Sequence, residues 1–130
     1  MEGEKDYRRD LGQRGEDLAC AELVRMGHLI LERNCRIGHL EVDIISYDTA
    51  GIHFVEVKTR RMSIQAPPQE NVDASKQRKL VKAALGYLNR KGKDLPGKSP
   101  ECFFDVMAVT FDGDTPSLEW FPEAFIPIYV

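Results

Sequence analysis

The chain has 130 residues, 42% of them hydrophobic and 30% charged, with 10 Gly and 7 Pro; this suits a single domain over residues 1–130 and excludes disordered and collagen-like classes. The opening MEGEKDYRRD lacks the apolar segment of a secretion signal, and charges interrupt every apolar run well before the roughly 18 residues of a spanning helix, so a cytoplasmic location is expected. A formal net charge of -3 excludes a uniformly basic polymer binder.

In chain order, a first helix is expected from about residue 11 to 26, opened by Asp10 with Gln13 three residues later and closed by Gly27. Ala19, Cys20 and Leu23 follow Glu16 at helical spacing, which would direct Glu16 along an inward stripe. A stripe centred on Leu11, Leu18 and Ala21 would instead leave Glu16 solvated. Three strand-like runs follow at residues 28–33, 40–47 and 52–59, the last two joined as a hairpin by the turn-forming residues 48–51. Residues 60–72, with Arg60, Arg61, Pro67 and Pro68, read as an irregular loop. A second helix over residues 75–91 carries Leu80, Ala84, Tyr87 and Leu88 on one face and Lys76, Arg78, Lys79 and Lys82 on the other; Gly92 stops it. Residues 102–111 form a long strand, Asp112, Gly113 and Asp114 a turn, and residues 117–121 a final strand. The order helix, three strands, helix, two strands defines a mixed α/β layer.

Cys20, Cys35 and Cys102 are odd in number and include no C-x-x-C pair, which argues against a disulfide framework or a zinc knuckle and fits a reducing compartment. His28, His39 and His53 lack the close helical spacing of a histidine metal site and read as surface or strand residues.

Side chains in a strand alternate between faces, so LEVDIIS sets Glu41 and Asp43 on one side and Leu40, Val42 and Ile44 on the other. HFVEVKT likewise pairs Glu56 with Lys58, opposite Val55 and Val57. If the hairpin joins the two charged faces, Asp43 and Glu56 become neighbouring carboxylates that repel unless a proton or a cation sits between them. Hard oxygen donors with room for water suit Mg²⁺ or Mn²⁺. The plainer account is a cross-strand ion-pair network of an Asp, a Glu and a Lys on an exposed hairpin, each contact contributing under about 1 kcal/mol. Charge is also segregated: residues 58–98 carry 11 basic and 3 acidic side chains, whereas residues 99–130 carry 6 acids and no Lys or Arg. Screening limits each block's field to about 8 Å at physiological salt, so the central block can present a positive surface to phosphate.

GQRGEDLACAEL with Glu16, RNCR at 33–36, LEVDII with Glu41 and Asp43, FVEVKTRR with Glu56 and Lys58, the Lys76 helix with ALGYL, and FFDVMAV with Asp105 follow one another in this order along the chain. On these strings the chain resembles, nearly end to end, the bacterial YraN-like family of the restriction-endonuclease-like superfamily, to which the archaeal Holliday-junction resolvases also belong. The resemblance implies an α/β restriction-endonuclease-like core, a mixed β-sheet flanked by helices. It further implies a metal-dependent DNA endonuclease in which Asp43, Glu56 and the main-chain carbonyl of Val57 hold Mg²⁺ or Mn²⁺ and Lys58 acts beside it. Glu16 and Glu41 would complete the shell; Arg60, Arg61, Lys76 and Arg78 would hold the nucleic-acid backbone. The expected partner is DNA, branched DNA included, with no membrane, and a homodimer would suit a four-way junction. Asp105 is either a supporting acid or a structural hydrogen-bonding group. Two positions depart from the pattern: Leu40 stands where the family usually has Gly, and Val42 where the superfamily often has Pro. The alternative is a catalytically silent nucleic-acid-binding module with the nuclease fold; a protein-interaction domain with no nucleic-acid role is a third reading.

GKDLPGKS at 92–99 satisfies the G-x4-G-K-S phosphate-loop pattern. That loop requires a strand before it and a helix after it, and the order here is the reverse, so the segment reads as loop chemistry.

Overall fold

The computed structural model describes residues 2–62, 73–91 and 101–125. Two helices and five strands follow in the order α1 (Glu2–Arg25), β1 (Leu29–Ile37), β2 (Leu40–Tyr47), β3 (Gly51–Arg61), α2 (Ala74–Lys91), β4 (Glu101–Asp112) and β5 (Thr115–Phe121). The strands form one sheet in sequence order, antiparallel at every junction except β3–β4, which is parallel and bridged by α2. This is the mixed α/β sheet with flanking helices expected from the element order. No helix among the described residues is long and apolar enough to cross a membrane.

Several boundaries differ from the sequence reading. α1 starts at Glu2 rather than near Leu11, so Asp10 lies inside the helix and caps nothing. The Glu, Lys and Arg residues ahead of it are good helix formers and need no cap signal at Asp10 to be helical. β1 runs on through Asn34 to Ile37, and β3 continues through Arg60 and Arg61, two residues assigned to the loop. The remainder of that loop from residue 63 onward, and the GKDLPGKS segment, lie outside the described residues. α2 opens one turn before Lys79 on a clear cap: Asp73 Oδ1 accepts the Lys76 amide at 2.8 Å, and the Asp73 carbonyl accepts the Gln77 amide at 2.9 Å.

The sheet carries a core on each face. On one side α2 lays Leu80, Ala84 and Tyr87 against Ile45, Ile52 and Phe54. On the other, α1 lays Ala19, Cys20 and Leu23 against Ile44, Val55 and Met107. Phe54 and Phe111, fully buried on opposite faces, each contribute on the order of 2 kcal/mol of apolar transfer. α1 can sit this close because Gly15 has no side chain: a Cβ there would stand 2.0 Å from Thr59 Oγ1 on β3.

The alternation expected of β2 fails at one point. Leu40 and Val42 pack on the α2 side, but Ile44 packs on the α1 side, although strand period would keep the three together. The partner strand does the same, since Arg33 reaches Asp17 of α1 at 2.7 Å while Cys35 joins the α2-side core. Between them Asn34 has φ 49°, and the register Arg33–Ile44 and Cys35–Val42 sets Asn34 opposite Asp43. Both strands therefore turn over at the Asn34–Asp43 position.

Candidate metal and phosphodiester site

β2 and β3 pair from Tyr47–Ile52 to Ile44–Val55, and the next residues in that register, Asp43 and Glu56, stand where the paired ladder ends. Past this point β3 stays paired to β4 through Arg61 while β2 stays paired to β1, so the two pairs part and a fork opens. Asp43 is fixed in the fork by the Val57 amide, which donates to Asp43 Oδ2 at 2.8 Å. Glu56 meets Asp43 side chain to side chain in a hydrogen bond that favours the charged form of Asp43 and the neutral form of Glu56. Burial raises the Glu56 pKa first and the Asp43 charge raises it further, to about 7. Burial also raises Asp43, against the pull of the Val57 hydrogen bond. Two acids set together in this way crowd more negative charge than the position comfortably holds.

Each helix supplies one charged group to the fork. From α2, Lys76 Nζ lies 3.1 Å from Glu56 Oε1, held at that height by the Asp73 cap. From α1, Glu16 follows Gly15; burial and then the Asp43 charge raise its pKa, and it hydrogen bonds Asn34. Of the two stripes open in the sequence, the one running through Ala19, Cys20 and Leu23 is buried, while Ala21 is exposed. Glu41 is exposed, 3.7 Å from Arg36 Nε, and its charge is felt by both Glu16 and Asp43. A cleft of about 220 Å³, lined by His39, Leu40, Glu41, Lys76, Lys79 and Leu80, opens beside the acids between the β1–β2 turn and α2.

The remaining basic residues spread outward. Alternation along β3 sets Lys58 and Arg60 on the Glu56 face, in register with Ala108 and Thr110 of β4. Arg61 faces the other way and donates to the Gly113 carbonyl at 3.2 Å in the β4–β5 turn. Arg78 is exposed on α2.

Asp105 lies elsewhere. It is buried on β4 and bonds His53 Nδ1 through Oδ2 and the Glu123 amide through Oδ1 at 2.7 Å. His53 is a strand residue and His39 is exposed, as the sequence reading expects, but His28 is neither: it lies outside the strands and is buried with His53, their ring centroids 4.6 Å apart. Among the described residues, His28, Asp48 and His53 form a group whose metal-capable atoms all lie within 4.8 Å of one another. This buried His/Asp cluster could bind a metal. Burial holds His28 below the ordinary histidine range, with His53 adding to the effect. Burial pulls His53 the same way, but hydrogen bonds to Asp105 and Asp48 outweigh it and hold that ring above the range.

Fold and fork together define a two-sided α/β protein that gathers half-buried acids where two central strands part. The sequence matches the profile described as "Uncharacterised protein family UPF0102" over residues 15–109, and the chain belongs to that family. It is 43% identical over 119 residues to a UPF0102 protein of Geobacter metallireducens, covering 92% of this chain and 94% of that one. It is 45% identical over 117 residues to a UPF0102 protein of Geobacter sulfurreducens, covering 88% of each. A relative from Anaeromyxobacter dehalogenans is 41% identical over 123 residues, covering 95% of this chain and 89% of its own. The matched region contains the whole fork: Glu16, Glu41, Asp43, Glu56, Lys58 and Lys76.

Proposed function

We propose that this protein is a metal-dependent DNA endonuclease with a restriction-endonuclease-like core, hydrolysing phosphodiesters in branched or duplex DNA. The observation that carries this reading is the Asp43–Glu56 pair: two half-buried acids in side-chain contact at a strand fork, with Lys76 against one of them. The fit to a hard divalent cation rests on that donor set, carboxyl oxygens crowded together with one lysine ammonium beside them. Asp43 and Glu56, with the main-chain carbonyl of Val57, would hold Mg²⁺ or Mn²⁺, which supplies polarisation of a phosphate oxygen and a more acidic water.

The chain's own residues do the rest. Val57 N–H orients Asp43, and Lys58, on the Glu56 face, offsets the charge that accumulates on the phosphate oxygens. Glu16 and Glu41 position water at the edge of the fork. Lys76 and Lys79 line the cleft through which a phosphate backbone would reach the acids, and Arg60 on β3 and Arg78 on α2 would add contacts to the backbone beyond it. The 220 Å³ cleft and its lysines accept a backbone rather than read bases.

One observation favours a second reading, a nucleic-acid-binding module without turnover: Lys76 already supplies a cation to Glu56. Labelled junction, flap, single-stranded and linear DNA, incubated with the protein in Mg²⁺ or Mn²⁺, separate the two. The endonuclease reading expects cutting that disappears in Asp43→Asn and Lys58→Ala while both variants keep most of their DNA binding. Salt-sensitive binding with no cutting of any substrate selects the module; about six phosphate contacts would give a log-log salt slope near -5.

A further inference from the structure

At the other end of the β2–β3 hairpin from the acids, three segments bring ligand atoms together. His28 follows α1 directly; the chain turns there at Gly27 (φ 98°), and the His28 amide donates to the Leu23 carbonyl at 2.9 Å. Asp48 begins the β2–β3 turn, and its Oδ1 accepts the amides of Ala50 at 3.0 Å and Gly51 at 3.2 Å. His53 lies on β3, paired with Ser46. Register makes them neighbours, because β1 and β2 pair at Leu29–Tyr47 and the next position out is His28 beside Asp48.

We infer that His28, Asp48 and His53 form a binding site for a transition-metal ion of the Zn²⁺ class, distinct from the acidic fork. The Nε2 atoms of both rings turn toward one carboxylate: His53 Nε2 lies 2.8 Å from Asp48 Oδ1, and His28 Nε2 lies 3.5 Å from Asp48 Oδ2. Ligand atoms around a four-coordinate Zn²⁺ stand about 3.3 Å apart when the bonds are about 2.0 Å. The two separations to Asp48 bracket that value, and all three ligand atoms lie within 4.8 Å of one another, so ring rotations would close the site.

The other nitrogen of each ring is already engaged. His53 Nδ1 bonds Asp105 Oδ2, and Asp105 is itself pinned by the Glu123 amide. His28 Nδ1 meets Ser46 Oγ at 2.9 Å. Such outer partners fix the tautomer and aim of a ligating imidazole, leaving Nε2 to face the ion. Phe103 stacks on His53 at 4.9 Å and Trp120 stands edge-on to His28 at 6.0 Å, which shelters the rings from water. Asp48 is the open side, 26% exposed against 4% and 8% for the two histidine side chains, so an ion enters past it and keeps a water there. Two imidazoles and one carboxylate suit Zn²⁺, Co²⁺ or Ni²⁺ and not Mg²⁺. An ion held by the end of α1, the hairpin turn and β3 ties these three segments together.

The rival account is a closed hydrogen-bond network in which His53 bridges Asp48 and Asp105 and no ion binds. Untagged protein stripped with a chelator and titrated with Co²⁺ distinguishes the two. The metal site predicts stoichiometric binding with visible d–d bands, displaced by Zn²⁺ and indifferent to excess Mg²⁺. Asp48→Asn, which keeps an oxygen for the turn amides, and His28→Gln should each abolish the bands in protein that still melts cooperatively. Asp105→Asn should weaken Co²⁺ binding by about 10–100-fold. Running the titration in excess Mg²⁺, which competes for the acidic fork and not for imidazoles, keeps this result independent of the fork. An absence of d–d bands in the wild type, or equal binding by wild type, Asp48→Asn and His28→Gln, overturns the proposal.

Discussion

Val57 donates its amide to Asp43 Oδ2 at 2.8 Å, so the backbone of β3 holds an acid of β2 at the position where their ladder stops. The neighbouring Glu56 side chain then has no route away from Asp43, because β3 on its other edge is locked to β4 in unbroken register. Sheet geometry, rather than any local propensity, brings the two carboxyls together.

That enforced contact has a pH signature. Glu56 rises from the ordinary 4.5 to about 7, so between those values the folded chain keeps a proton that the unfolded chain has released. Stability contributed by this group is greatest below about pH 4.5, falls as pH rises to about 7, and is level above. The fall amounts to at most about 3 kcal/mol. Glu56→Gln retains an N–H to donate to Asp43 and cannot ionise. It should therefore raise the urea midpoint at pH 8 and leave it nearly unchanged at pH 4.5. His53, also held above its usual range, loses stability as pH rises in both proteins and cancels in the comparison. An unchanged midpoint at pH 8 would mean that Glu56 is not stressed by its neighbour.

Lys76 competes with any cation for Glu56 Oε1, from which it stands 3.1 Å. Its side chain is 45% exposed, so it can swing out, and the repulsion it exerts on an incoming ion is worth about 1 kcal/mol. Lys76→Ala should tighten Mn²⁺ binding at pH 8 roughly fivefold in a calorimetric titration. The same variant should bind DNA less tightly and with a shallower salt slope, since a phosphate-facing charge is gone. Weaker Mn²⁺ binding would assign Lys76 to holding the acids in place instead.

Sequence periodicity was enough to find the helices, the hairpin and the pairing of Asp43 with Glu56, because each depends on residues close in the chain or on one hairpin register. It failed where a single residue broke the period. Asn34 adopts a left-handed conformation within β1 and, with Asp43 opposite, turns both strands over, so Val42 and Ile44 face different cores. An Asn followed by Cys and Arg carries no sign that a strand continues. The Lys76–Glu56 pair was hidden for another reason: it depends on how α2 crosses between two parallel strands, which no spacing encodes. His28 and His53 were separated by chain distance and read one at a time. Extending the β1–β2 register one residue beyond Leu29–Tyr47 would have set His28 beside Asp48 and exposed the cluster.

The fork also depends on how closely α1 approaches the sheet. Gly15 lies against Thr59, and a Cβ added to it would meet Oγ1 at 2.0 Å, Cγ2 at 2.8 Å and the Thr59 Cβ at 2.9 Å. Thr59 is short and β-branched with one preferred rotamer, so it cannot fold out of the way. Gly15→Ala must push α1 outward, and Glu16, the next residue, moves with it. The helix gains intrinsic propensity from alanine, about 1 kcal/mol, but overpacking at a helix–strand contact typically costs about 1–3 kcal/mol. Net destabilisation is expected in urea unfolding, and Thr59→Ala in the same chain should recover part of it by removing two of the three clashing atoms. If Gly15→Ala proves as stable as the wild type, α1 does not rest on β3 at this point and Glu16 is not delivered to the fork by it.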